Sequence, residues 1–74
     1  MSLQDYVIRL QSGLWEIRLG DQLLGGQPTQ MAALSVADTL AYAAALRGKR
    51  SRIVVGDLDG SSIEFPIIEP PGKV

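Results

Sequence analysis

Apolar and polar side chains alternate on both sides of Ser12-Gly13, from Tyr6 to Leu19. A two-residue turn at Ser12-Gly13, where glycine readily takes a positive φ, makes this stretch a β-hairpin. The turn sets Leu10 opposite Trp15, Ile8 opposite Ile17 and Tyr6 opposite Leu19, all six on one side of the pleat. Arg9 then faces Glu16 and Val7 faces Arg18 on the other side. Slipping the register by one residue would bury Arg18 and Glu16 and expose Trp15, so the pattern selects this pairing. The Arg9–Glu16 pair adds only ~0.2–1 kcal/mol, a minor contribution beside six apolar side chains. Gly20-Asp21 turns the chain into a short third strand at Gln22-Leu23-Leu24, which Gly25-Gly26 weakens and Pro28 ends.

Residues 52–68 repeat the alternation around a different turn. Asp57 stands at the first turn position in Asp57-Leu58-Asp59-Gly60, and Gly60 at the left-handed position of a three-residue hairpin. That register opposes Val55 to Ile63 and Ile53 to Phe65 on one face, with Val54 and Glu64 on the other. Pro66 cannot donate to a ladder, so the last strand lies at a sheet edge. Trp15 and Phe65 are both expected to face the core.

Between the hairpins the period changes to that of a helix. Ser35-Val36-Ala37-Asp38 has capping-box spacing, and Gly48 follows Arg47 where a helix C-terminus places its glycine. Val36, Ala37, Leu40, Ala41, Ala44 and Arg47 share one flank, and the alanines let the helix approach a sheet closely, with room for Trp15 beneath. The start is open between Thr29, after Pro28, and Ser35, because Met31, Ala33 and Leu34 extend an apolar face either way. Tyr42 and Leu46 lie one turn apart on the opposite flank, beside Asp38 and Thr39. The expected fold is a two-layer α+β domain of order β-β-β-α-β-β. Its sheet is antiparallel, a three-stranded meander plus a C-terminal hairpin, with one helix on one face. Residues 1–74 form a single domain with its ordered core at about 5–68. The stretch Glu69-Pro70-Pro71-Gly72-Lys73-Val74 reads as a flexible tail.

Composition narrows the chemistry. The chain has 74 residues, 46% of them hydrophobic, which is enough for a thin core. A chain this short nevertheless buries only ~60% of its unfolded surface. No apolar run reaches the ~20 residues of a membrane span, and no basic-then-apolar leader is visible. Without Cys there are no disulfides or thiolate ligands. Without His the commonest metal ligand and the usual general base are missing. These features are those expected of a cytoplasmic bacterial protein.

The net charge of −1 gives no global field for nucleic acid or anionic lipid. Four of the seven cations nevertheless crowd into six residues, as Arg47, Lys49, Arg50 and Arg52. Such a cluster can contact phosphates. It also complements the negative end of a helix dipole and solvates a loop, which is the favoured reading in a chain of negative charge. Asp57-x-Asp59-Gly60-Ser61 has the front of a calcium loop but offers Val55 and Pro66 where carboxylates are required, so a turn explains it better. Asp57, Asp59 and Glu64 on a hairpin tip lack the cleft that acid–base catalysis needs. Gly25-Gly26-Gln27 lacks the spacing and lysine of a phosphate loop. Ser35, Ser51 and Ser62 have neither a histidine nor a Ser-x-x-Lys lysine to activate them. No catalytic residue, cofactor site or metal site is therefore assigned, and an enzyme is not expected. A short chain with no disulfide or metal gains from self-association. A homodimer is expected, with Tyr42 and Leu46 as its candidate interface.

Tyr6-Val7-Ile8, Gly13-Leu14-Trp15-Glu16-Ile17, the capped Ala-rich helix, Ile53-Val54-Val55-Gly56 and Asp59-Gly60 stand in an order that resembles the bacterial family called domain of unknown function 2188. The likeness covers about residues 5–65. Leu14 stands where the family commonly has Lys, and the segment from Trp15 to Ser35 is longer here. The resemblance implies a compact sheet-plus-helix fold and supplies no catalytic or binding residue. A weaker similarity is to antitoxins of the HicB type, which share the order strand–strand–strand–helix–strand but carry a Pro-Gly-Cys-like stretch that is missing here. The function expected is that of a non-enzymatic domain acting through protein contacts, with an unidentified protein partner or a second copy. The alternative is a nucleic-acid-binding or antitoxin-like accessory protein using residues 47–52.

Overall fold

The computed structural model describes residues 3–57 and 59–71. The N-terminal hairpin forms as the alternation requires. Strands β1 (Leu3–Gln11) and β2 (Leu14–Leu19) pair antiparallel, with Leu10, Ile8 and Tyr6 opposite Trp15, Ile17 and Leu19. Ser12 and Gly13 both have positive φ, 50° and 83°. This is the twist that a two-residue turn needs to match two right-twisted strands.

Strand β3 (Gln22–Gln27) departs from expectation by running straight through Gly25-Gly26. The two glycines keep their backbone pairing, opposite Ile17 and Glu16, because the ladder needs only N–H and C=O groups. A bulge between Ile17 and Arg18 skips Leu24, which turns inward against the core and leaves Leu23 exposed on the other face.

Helix α1 (Gln30–Leu46) begins at the earlier of the two possible starts. Thr29 is the N-cap, with its Oγ1 accepting the Ala32 N–H at 3.1 Å. Ser35 therefore lies inside the helix, where its carbonyl accepts the Thr39 hydroxyl. The extra turn brings Ala33 into the core, whereas a start at Ser35 would leave it out. At the other end Gly48, at φ 84°, and Lys49 donate to the Ala45 and Ala44 carbonyls, closing the helix as a Schellman motif. Ala33, Ala37, Ala41 and Ala44 form a fully buried stripe, and the first three pack on Tyr6, Ile8, Ile17, Ile53 and Val55.

The sheet is mixed and not purely antiparallel, with order β3-β2-β1-β4-β5. Strand β4 (Arg50–Gly56) lies parallel to β1, Tyr6 beside Ile53 and Ile8 beside Val55. The direction follows from counting reversals. After three antiparallel strands, both free edges of the meander, β1 and β3, point the same way. A helix that carries the chain back must then deliver the next strand parallel to whichever edge it joins.

The C-terminal hairpin keeps its expected register, Val55 opposite Ile63 and Val54 opposite Glu64, although β5 spans only Ser62–Glu64. Phe65 N–H still reaches the Ile53 carbonyl at 2.9 Å, and after Pro66 the chain rejoins β4 through paired bonds between Ser51 and Ile68. Since Phe65 bonds inward to β4, the alternation points Pro66 to the free edge, where no N–H is needed. Of the turn, Leu58 lies outside the described residues, as do Gly72, Lys73 and Val74 of the expected tail.

Ser51 on the inner face of β4 is fully buried, and its Oγ has no hydrogen-bond partner among the described residues. A buried hydroxyl without a partner carries its desolvation cost uncompensated. Ser51→Ala is expected to raise the unfolding free energy by about 1 kcal/mol in urea titrations. A loss of stability in that variant would show that the hydroxyl has a role the packing does not reveal.

Candidate functional site

Five strands spaced ~4.8 Å apart span ~19 Å between their outer axes, whereas a helix with its side chains is only ~10 Å across. One helix cannot cover such a sheet. Helix α1 lies over β1, β2 and β4 and reaches β3, and among the described residues none of its Cα atoms comes within 8 Å of one in β5. The inward side chains at that edge are consequently uncovered. Ile63 is 57% exposed and Phe65 37%, which corrects the expectation that Phe65 joins the core.

An apolar groove results. Its first wall is one flank of α1, with Met31, Leu34, Asp38 and Tyr42 at spacings of about one turn. The second wall is Ile63 and Phe65, continued by the chain at Pro66–Ile68. Two hollows of about 270 and 600 Å³ adjoin along it and share Leu34 and Phe65. Of the two residues singled out from the sequence, Tyr42 stands in the helical wall. Leu46, one turn on, lies on the outer side of the helix and is 78% exposed. Met31, Ile63, Phe65 and Ile67 line the groove too, although the sequence pattern gives the first three only as members of apolar faces. Strand alternation tells which face a side chain takes and not whether anything covers that face; comparing one helix with five strands would have exposed the gap.

The basic segment does not form a single patch. Alternation along β4 sends Ser51, Ile53 and Val55 inward and Arg50 and Arg52 outward. Arg52 holds Asp5 through two bonds of 2.9 and 3.0 Å and Glu64 through one of 3.3 Å. The hydrogen bonds that Arg52 donates to Asp5, and then the charges of Asp5 and Glu64, raise the Arg52 pKa above its ordinary value against the cost of desolvation. Arg50 pairs with Glu69 at 3.0 Å. Two of the four cations are thus taken up by carboxylates. Arg47 is the C-cap and Lys49 follows it, so both stand at the negative end of the helix dipole.

Comparison with protein-family models, curated proteins and solved structures returns no match. The chemistry of the surface is what remains to read. Among the described residues no helix is long and apolar enough to cross a membrane. No three potential metal ligands gather among them either.

A third hollow, of about 300 Å³, lies at the carboxyl ends of β1 and β4 and is lined by Arg9, Gln11, Asp57, Ser61 and Ser62. The neighbouring hairpin tip is built as a turn. Gly60, at φ 90°, donates to the Asp57 carbonyl, and the Asp59 carboxylate accepts the Ser61 hydroxyl at 2.6 Å and its N–H at 2.9 Å. These bonds, the hydroxyl's first, hold the Asp59 carboxyl below the usual carboxylate range. A carboxyl depressed in the folded state stabilises fully above its unfolded pKa, and that contribution is lost as pH falls through the folded value. In Ser61→Ala the Asp59 carboxyl is expected to titrate nearer its ordinary pKa, followed by carbon-detected NMR, with the acid-side stabilisation shrinking in step. An unmoved titration would mean that the hydroxyl does not set it.

Proposed function

We propose that this domain is a non-enzymatic protein-interaction module whose working surface is the apolar groove between α1 and β5. The observation that carries this reading is the run of exposed apolar side chains on both walls, Met31 (80% exposed), Tyr42, Ile63 and Phe65, in one continuous depression. Scattered surface apolar residues are normal, but a contiguous patch marks an interaction site. The groove is mostly apolar, with Asp38 on its helical wall and Asp57 and Glu69 at its ends, and Glu69 is held by Arg50.

The outer sheet face supports the same division. There Arg52, Asp5, Glu64, Glu16 and Arg18 are tied into ion pairs, and the exposed leucines on that face, Leu14 and Leu23, stand apart from the groove. The pairing of Arg50 and Arg52 weakens the nucleic-acid alternative, which needs those charges free for phosphates. The likeness to the domain of unknown function 2188 family stands beside this proposal without adding a functional residue.

The reading is tested with the dye 1-anilinonaphthalene-8-sulfonate, its fluorescence followed down a dilution series so that any bound copy is released. The folded chain is expected to enhance the dye's emission. Phe65→Lys in the groove should lower that enhancement several-fold, whereas Val7→Lys on the outer face should leave it unchanged. Equal emission from all three proteins, or none at high dilution, would overturn the groove as the binding surface.

A further inference from the structure

We infer that the occupant of the groove is helix α1 of a second copy, entering face to face so that each copy's helix fills the other's groove; this rests on the reading of the groove as an interaction surface. Of the 17 residues of α1, only Asp38 is charged. A surface helix of a globular domain normally sets an apolar stripe against a charged face, and a helix that is apolar all round is one buried on all sides. Here the inner stripe is buried, while the outer side presents Met31, Tyr42 and Leu46 at 80%, 58% and 78% exposure among the polar Gln30, Ser35, Asp38 and Thr39. The chain thus has a helix that lacks cover and a depression that lacks a filler.

The two fit in size. Helices pack with axes 8–10 Å apart, so a second helix laid against the Met31–Tyr42 flank comes to rest over β5, about two strand spacings from the centre of α1. A two-fold axis between antiparallel helices satisfies both copies at once, because the same residues form ridge and groove on each. The product has three layers, with a sheet, a pair of helices and a second sheet. The ion-paired outer faces remain in water.

The register follows from the one charge on the helix. Centring the axis midway between Asp38 and Tyr42 sets each Asp38 against the partner's Tyr42, whose hydroxyl can donate to the carboxylate, twice over. It also avoids placing the two Asp38 side chains against each other. This leaves about 20 Å of helix overlap. Half the lateral surface of a helix that long is roughly 300 Å², and the depression it enters is of similar area. Each copy then contributes roughly 600 Å², at the lower bound for specific dimers, so association is expected at micromolar rather than nanomolar concentration.

Sedimentation equilibrium decides it, with far-UV circular dichroism confirming that each variant is folded. The wild-type chain is expected to be dimeric at high micromolar concentration. Leu46→Glu, outside the groove but on the outer side of the helix, should raise the dissociation constant by about thirty-fold or more, the effect of losing a buried contact. Tyr42→Phe should raise it by a smaller factor, and Ser62→Pro, which removes an N–H from the free edge of β5, should leave it unchanged. A dimer lost in Ser62→Pro and kept in Leu46→Glu would replace helix packing with edge-to-edge strand pairing. A monomer at all concentrations that still binds the dye through Phe65 would overturn the second copy and leave the interaction module standing. A chain that neither associates nor binds the dye would overturn both.

Discussion

The structure turns on a mismatch of widths: one helix is laid on five strands. The mismatch is made tolerable on one side by alanine. Because Ala33, Ala37, Ala41 and Ala44 are small and fully buried, α1 sits low over β1 and β4, and Trp15, Leu19 and Leu24 close the core towards β3. Leu24 reaches that core beside the bulge at Ile17 and Arg18, which shifts the pairing of Gly25 and Gly26 by one residue. No comparable device closes the other side. The chain ends its last hairpin with a three-residue strand, and Ile63 and Phe65 are left pointing into an unroofed space.

The two sheet faces are finished in different ways. On the outer face the strands alternate charges that neutralise one another, Arg52 between Asp5 and Glu64, and Arg18 against Glu16. Such exposed pairs add little stability but keep the face wet and discourage stacking. On the inner face the apolar residues extend beyond the helix that should cover them. Pro66, with its donorless nitrogen at the free edge, discourages strand-to-strand pairing in the same region and favours contact through the side-chain face.

Much of this was legible along the chain. The Ser12-Gly13 turn set the register of the first hairpin down to individual partners, because any slip would have inverted Trp15 and Glu16. Asp57 and Gly60 did the same for the second. The parallel pairing of β1 and β4 was within reach, but it required counting chain reversals across elements rather than reading any one segment. The helix start was ambiguous because Thr29 and Ser35 are both competent caps, and the choice lay in whether Ala33 gained a core partner. Gly25-Gly26 misled because glycine lowers strand propensity without removing the backbone groups that a neighbouring strand supplies with partners. The site was half legible. Tyr42 and Leu46 showed as apolar residues on the wrong flank of the helix, whereas Ile63 and Phe65 looked like core because their parity was right. The basic cluster looked like one feature in sequence and became two in space, divided by the strand alternation of β4.

The central claim is that the inner sheet face is completed by a helix the chain supplies from another copy. The most direct measurement is an isotope-filtered NOE experiment on a mixture of labelled and unlabelled chains at high micromolar concentration. It reports only contacts between copies. The account predicts cross-peaks from the Tyr42 ring and the Leu46 methyls of one copy to the Phe65 and Leu34 side chains of the other. Intermolecular peaks confined to residues 62–64, or none at all, would contradict it.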